Sequence, residues 1–166
     1  VTPGIFVGAV FAVNCFGDVI NPSSGKTIAG SRKMPEGHFI DTMKTLAQMP
    51  ESFDAAVKST VIGAVVTNAT LTKETANKVA QMAHNGLART IIPTHTMFDG
   101  DTIFAMSTGL QKTMGANIIG AFAAEATARA VVNAASEATS LCGVTAMRDV
   151  YYAGKKHLYK GSESAV

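Results

Sequence analysis

The sequence predicts a layered α/β domain, and three observations lead there. Two apolar runs rich in β-branched and aromatic residues, Ile5–Val13 and Val61–Thr67, have the composition of core strands. Around them lie two segments whose apolar residues recur at helical spacing, so strands and helices alternate along the chain. With 166 residues, 47% hydrophobic and 16% charged, the chain is long enough for one domain with a sizeable core and is neither disordered nor fibrous in composition.

The first run, Ile5-Phe6-Val7-Gly8-Ala9-Val10-Phe11-Ala12-Val13, is unbroken, the pattern of a strand covered on both faces, and it ends at Asn14-Cys15-Phe16-Gly17-Asp18. Residues 21–37 carry Asn21-Pro22-Ser23-Ser24-Gly25, Gly30-Ser31 and Pro35-Glu36-Gly37, mostly turn formers, and read as a connector. A short helix over Phe39–Met49 follows, stopped by Pro50. A second buried strand begins abruptly at Thr60. Thr72 caps a helix with Glu74 in its first turn and Ala76, Val79, Ala80, Ala83, Leu87 and Ile91 on one face, before Pro93. His95–Asp101 is a tight loop, and Thr102–Met106 is a short strand. A long helix over 116–141 keeps a small-residue face, with Ala126, Ala130 and Ala134 suited to close packing. No internal repeat interrupts this order.

Charge and cysteine content exclude several classes. The 14 basic and 12 acidic residues are scattered, giving +2 without the dense Lys/Arg stripe that nucleic acid requires. Cys15 and Cys142 lie far apart with no C-x-x-C pair, so neither a zinc site nor a disulfide framework is expected, and a reducing cytoplasm fits. The most apolar stretch, 116–135, contains Glu125 and Arg129 and is richer in Ala than in Leu and Ile, so no membrane span is expected. The chain opens on Val1 and enters a core strand at once, which reads as an internal segment of a longer gene product.

Taken singly, the polar residues have plain structural readings. Thr60 is a β-branched residue starting a strand, and Asn14 closes a turn. Asp99-Gly100-Asp101 is turn chemistry that falls short of a calcium loop, and His84 and His95 lack the partners of a metal site.

Their combination carries more. Ser59-Thr60-Val61-Ile62-Gly63-Ala64-Val65-Val66-Thr67-Asn68-Ala69, the helix Asn77–Arg89, and Pro93-Thr94-His95-Thr96-Met97-Phe98-Asp99-Gly100-Asp101-Thr102-Ile103-Phe104 stand in one order at one spacing. This series resembles the β-subunit of the DmpA-type L-aminopeptidase/D-esterase family, which includes β-peptidyl aminopeptidases and the nylon-oligomer hydrolase. The resemblance runs from about Val7 to Ala134 and weakens over residues 21–58.

It implies an α-β-β-α sandwich of the DmpA and ornithine-acetyltransferase type, of which this chain is the carboxy-terminal part. Residues 1–59 then end an α-subunit-like part with a linker at 21–58, and residues 60–166 form the β-subunit-like part. Such a precursor cuts itself before a Ser or Thr, so the resemblance implies cleavage between Ser59 and Thr60, with Thr60 as the freed nucleophile. Its own α-amino group, with a pKa near 7.7–8.0 in free termini, would be the adjacent base. Asn14 matches the family's oxyanion donor, and Asp99 and Asp101 match an acidic pair that would orient the α-ammonium and relay a proton. The nylon-oligomer hydrolase carries Asn directly before its nucleophile, where this chain has Ser59.

The resemblance further implies a small peptide or amide substrate, no cofactor or metal, and a tetramer or larger ring. It also implies a tyrosine or lysine supplied by the amino-terminal half of the gene product. Two alternatives share these residues: an ornithine-acetyltransferase-like acyltransferase, and an uncut subunit whose role is assembly.

Overall fold

The computed structural model describes residues 3–33, 38–50, 58–112 and 115–149. The elements in chain order are β1 (Val7–Asn14), β2 (Asp18–Asn21), β3 (Lys26–Ala29), β4 (Arg32–Lys33), β5 (His38–Phe39), α1 (Thr42–Leu46), β6 (Thr60–Ala69), α2 (Lys73–Thr90), β7 (Ile91–Ile92), β8 (Thr102–Gln111) and α3 (Ala116–Glu137). The principal sheet has the order β1-β6-β8, with β1 antiparallel and β8 parallel to the central β6. Parallel neighbours need a crossover, and α2 supplies it between β6 and β8. A second sheet of order β3-β2-β7 and a β4-β5 pair lie outside it.

Both long helices form where the apolar period predicts them. Thr72 caps α2 by accepting from the Thr75 N–H, while the Thr75 hydroxyl returns a bond from the Thr72 N–H, so two orphan amides are satisfied. The inner side of the sheet, with Val61, Val65, Ala69 and Ile103, packs against Val79, Ala83 and Leu87 of α2 and Ile119, Ala123 and Val131 of α3 in one buried cluster. The two helices approach closely because two glycines remove the side chains between them. A Cβ on Gly86 would stand 2.3 Å from the Ala124 carbonyl oxygen, and one on Gly120 would stand 2.3 Å from the Met82 sulfur. By length and composition α3 could cross a membrane, but Ile119, Ala123 and Val131 are buried in the cluster with the sheet, and Ala124 and Ala128 are buried beside Gly86 of α2.

The expectation that the first and second apolar strands are covered on both faces is corrected. Burial alternates along β1, and on the outer side of the sheet Val10 is 68% exposed and Phe104 58%, with Ile62, Val66 and Met106 also exposed. The apolar run is continuous because both faces are apolar, yet among the described residues only the helix side has a covering layer. The described residues thus build a mixed α/β unit with one helix layer on one face of its main sheet.

The connector expected over 21–37 contains a hairpin instead. β2 and β3 pair antiparallel, and Asn21-Pro22-Ser23-Ser24-Gly25 is its loop, with Gly25 at φ 67 and its N–H donating to Asn21 O. Strands of four residues between turn formers are too short for an apolar pattern to register. The buried Asp18 carboxylate ties β2 to α1 by accepting from the Thr42 N–H at 2.9 Å and the Thr42 hydroxyl at 2.8 Å. The helix expected over 39–49 is the single turn α1, with Asp41 capping the Lys44 N–H. The short strand at 102 extends to Gln111, and the last helix ends at Glu137 rather than at 141. The Pro35-Glu36-Gly37 turn lies outside the described residues.

Candidate active site

One end of the β1-β6-β8 sheet collects Asn14, Ser59, Thr60, Asp99 and Asp101. Thr60 opens β6, the central strand, and is directly opposite Asn14, the last residue of β1. Strand alternation puts both side chains on the outer, uncovered face, as cross-strand neighbours. Thr60 is half-buried and its hydroxyl donates to the Ser59 carbonyl oxygen at 2.6 Å. Ser59 is buried and bridges to the loop before β8: its N–H donates to Phe98 O at 2.9 Å, and its carbonyl accepts from the Gly100 N–H at 3.0 Å.

The two carboxylates flank Gly100 in the loop just before β8, and Gly100 faces Thr60. Asp101 Oδ1 accepts from the Val61 N–H at 2.9 Å, one residue after the threonine. Its Oδ2 accepts from the Thr94 hydroxyl at 3.2 Å and lies 2.8 Å from His95 Nδ1. Asp99 Oδ2 accepts from the Thr96 N–H at 3.0 Å and hydroxyl at 2.6 Å, and Oδ1 accepts from the Phe16 N–H at 3.2 Å. Asp99 therefore ties the 96–99 turn to the segment that follows Asn14, and Asp101 ties the start of β6 to the 94–95 loop. These bonds clamp the frame around Thr60 and go to residues other than Thr60.

Two residues of this frame carried no functional signal in the sequence. His95 sits at φ 57, a conformation uncommon for a side chain of its size, and its ring lies 4.9 Å from that of His84. Burial, then the neighbouring His95, holds the His84 imidazole below its ordinary value. Gly100 is the other: an added Cβ would stand 3.1 Å from the Thr60 hydroxyl oxygen. The nearby Cys15 thiol is pushed up to about 11, chiefly by burial and also by the negative charge of Asp99, Asp101 and Asp18, which leaves it a neutral thiol at pH 7.

Asn14 also opens onto a cavity of about 520 Å³ between the end of β1, the β2-β3 hairpin and the segment after α3. Ile28, Ala135, Leu141 and Met147 make its wall mainly apolar, and Arg32 is the cation on its lining. Among the described residues no group of three or more His, Cys, Asp or Glu is arranged to hold a metal ion.

A strand-initial threonine, a facing amide and two fixed carboxylates thus meet at one polar end of the sheet. The chain belongs to peptidase family S58, which matches residues 2–148. It is similar to a protein named as an uncharacterized aminopeptidase in Mycobacterium tuberculosis, 31% identical over 168 residues, 89% of this chain and 48% of that protein. A protein of the same description from Mycobacterium leprae is 36% identical over 163 residues, 85% of this chain and 43% of that protein. A 6-aminohexanoate-oligomer endohydrolase of Kocuria is 37% identical over 89 residues, 46% of this chain and 25% of that enzyme. The chain spans about half the length of the mycobacterial relatives it matches. Among solved structures, the PH0078 protein of Pyrococcus horikoshii is matched with a TM-score of 0.44 at 21% identity, over 79% of this chain and 39% of that one.

Proposed function

We propose that the complete gene product hydrolyses amide bonds of peptides or linear oligoamides with Thr60 as nucleophile, after cutting itself between Ser59 and Thr60. The observation that carries this reading is the position of the Thr60 hydroxyl. It rests 2.6 Å from the oxygen of the very carbonyl it must attack, at the head of the central strand and opposite Asn14. The aminopeptidase and oligoamide hydrolase names of the relatives support the bond type.

Once freed, Thr60 would carry a hydroxyl and its own α-amino base on one residue. The hydroxyl attacks a substrate carbonyl, the amine half leaves, and water releases the acyl half. The Asn14 amide, on the same face, would donate to the oxyanion of each tetrahedral intermediate. Asp99 and Asp101 would keep the strand head in place during both steps, with Asp101 close enough to the Val61 N–H to set where the new terminus lies. The cavity beside Asn14 offers an apolar place for one side of the substrate. The uncovered sheet face would be completed by the amino-terminal half, within a homo-oligomer.

The test is Thr60→Ala in the complete gene product. Intact-mass measurement should show a single uncut chain and no hydrolysis of amino acid amides, where the parent gives two pieces and turns over. A variant that still splits or still hydrolyses would remove Thr60 from the mechanism.

A further inference from the structure

We propose that the backbone N–H of Gly100 is the oxyanion donor for the self-cleaving step at Ser59–Thr60; this rests on the reading of Thr60 as a nucleophile freed by that step. Two groups converge on one carbonyl oxygen: the Gly100 N–H at 3.0 Å and the Thr60 hydroxyl at 2.6 Å. Ser59 is buried, so water contributes little to stabilising charge on that oxygen. The donor is held on both sides. Asp99, before Gly100, is fixed by Thr96 and Phe16, and Asp101, after it, by Val61, Thr94 and His95.

The step balances as follows. Thr60 Oγ1 forms a bond to the Ser59 carbonyl carbon, and negative charge collects on the oxygen that already faces the Gly100 N–H. The hydroxyl proton passes to the Thr60 nitrogen, the C–N bond breaks, and an ester joins Ser59 to the threonine oxygen. Water then adds to the ester and its C–O bond breaks, leaving a Ser59 carboxylate and a Thr60 with free hydroxyl and free amine. A donor in place before the charge appears needs no reorganisation.

The absence of a side chain at position 100 serves the same geometry. A methyl group there would stand 3.1 Å from Thr60 Oγ1 and 4.0 Å from Ser59 O, closer to the attacking atom than ordinary contact permits. The assignment divides the labour at the sheet end: the Gly100 amide acts on the chain's own carbonyl, and Asn14 on the substrate's.

The experiment replaces Gly100 by glycolic acid during in vitro translation of the complete gene product, turning one amide into an ester and deleting one N–H. The control is the same replacement at Gly63, which lies in the middle of the same central strand. Cleavage of the folded, gel-filtered fraction is followed by intact mass. Loss of an oxyanion donor should slow it by about 10²–10³-fold. The Gly63 ester should change it by about threefold or less, as for one ladder hydrogen bond. Equal rates for the two esters would overturn the proposal. Gly100→Ala, made by ordinary expression, keeps the N–H but crowds the hydroxyl and should slow cleavage about tenfold; cleavage at the parental rate would count against the convergence. The Thr60→Ala chain separates the two ideas. If that chain still splits, the reading of Thr60 fails; if it stays whole while the Gly100 ester cleaves normally, only the Gly100 assignment falls.

Discussion

Asn14 meets Thr60 only through its register across the β1-β6 pairing, and in the proposed mechanism its contribution is one amide N–H. Asn14→Ala in the complete gene product should lower kcat by about 10²–10³ with a much smaller change in KM, since the bond is made to the transition state. A steady-state assay in which KM rises and kcat holds would assign Asn14 to substrate binding instead. His84 gives a second prediction at this scale. Its folded pKa lies below its ordinary 6.5, because burial and His95 both disfavour the imidazolium. Well above 6.5 the ring is neutral whether folded or unfolded. As pH falls through 6.5 the unfolded chain takes up the proton first, so stability is lost as pH drops toward the folded pKa. The fall in Tm between about pH 7.5 and about pH 5.5 should be smaller in His84→Gln than in the parent. Thr60, Asn14, Asp99 and Asp101 were candidates only through the family resemblance that three segments in one order carry; singly each has a plain structural reading. Gly100 and His95 were not. A glycine between two aspartates reads as a turn, and only folding reveals that its N–H lands on Ser59 O.

Helix α2 is bound to α3 by absent side chains as much as by present ones. Ala is the better helix former by about 0.8–1.0 kcal/mol, so Gly86→Ala would stabilise α2 if it were alone. In the protein the new methyl would collide with the Ala124 carbonyl and the Thr127 side chain. We expect net destabilisation of about 1–3 kcal/mol from overpacking, read from urea unfolding. An unchanged or raised midpoint would mean that the helices can separate without cost. The surface pair Arg129–Glu125 spans i, i+4 on the solvent side of α3 and contributes little by comparison. At this scale the long elements were readable, since helix and core-strand periods persist over many residues. The β2-β3 hairpin was missed because its strands are held by pairing partners, with β7 on one side and β3 on the other, rather than by their own apolar pattern.

Among the described residues, one face of the principal sheet is uncovered, and that face bears Val10, Ile62, Val66, Phe104 and Met106. A contiguous apolar surface of this kind calls for a partner layer. The 166-residue chain expressed alone should therefore bind anilinonaphthalene sulfonate strongly and self-associate, and Ile62→Lys with Phe104→Lys should weaken both. The complete gene product should bind far less dye; equal binding would mean that the remaining half leaves this face open. The sequence by itself determined the alternation of strands and helices and the apolar character of both sheet faces, which are local or periodic properties written in residue type and spacing; Thr60 and Asn14 stood out only through the family resemblance. Only the tertiary structure decided which sheet face is covered, that the Asp99 and Asp101 carboxylates bind the surrounding frame, and that the Gly100 amide meets the Ser59 carbonyl. Each of those depends on where separate segments come to rest against one another, and no single stretch of sequence encodes a distance between two others.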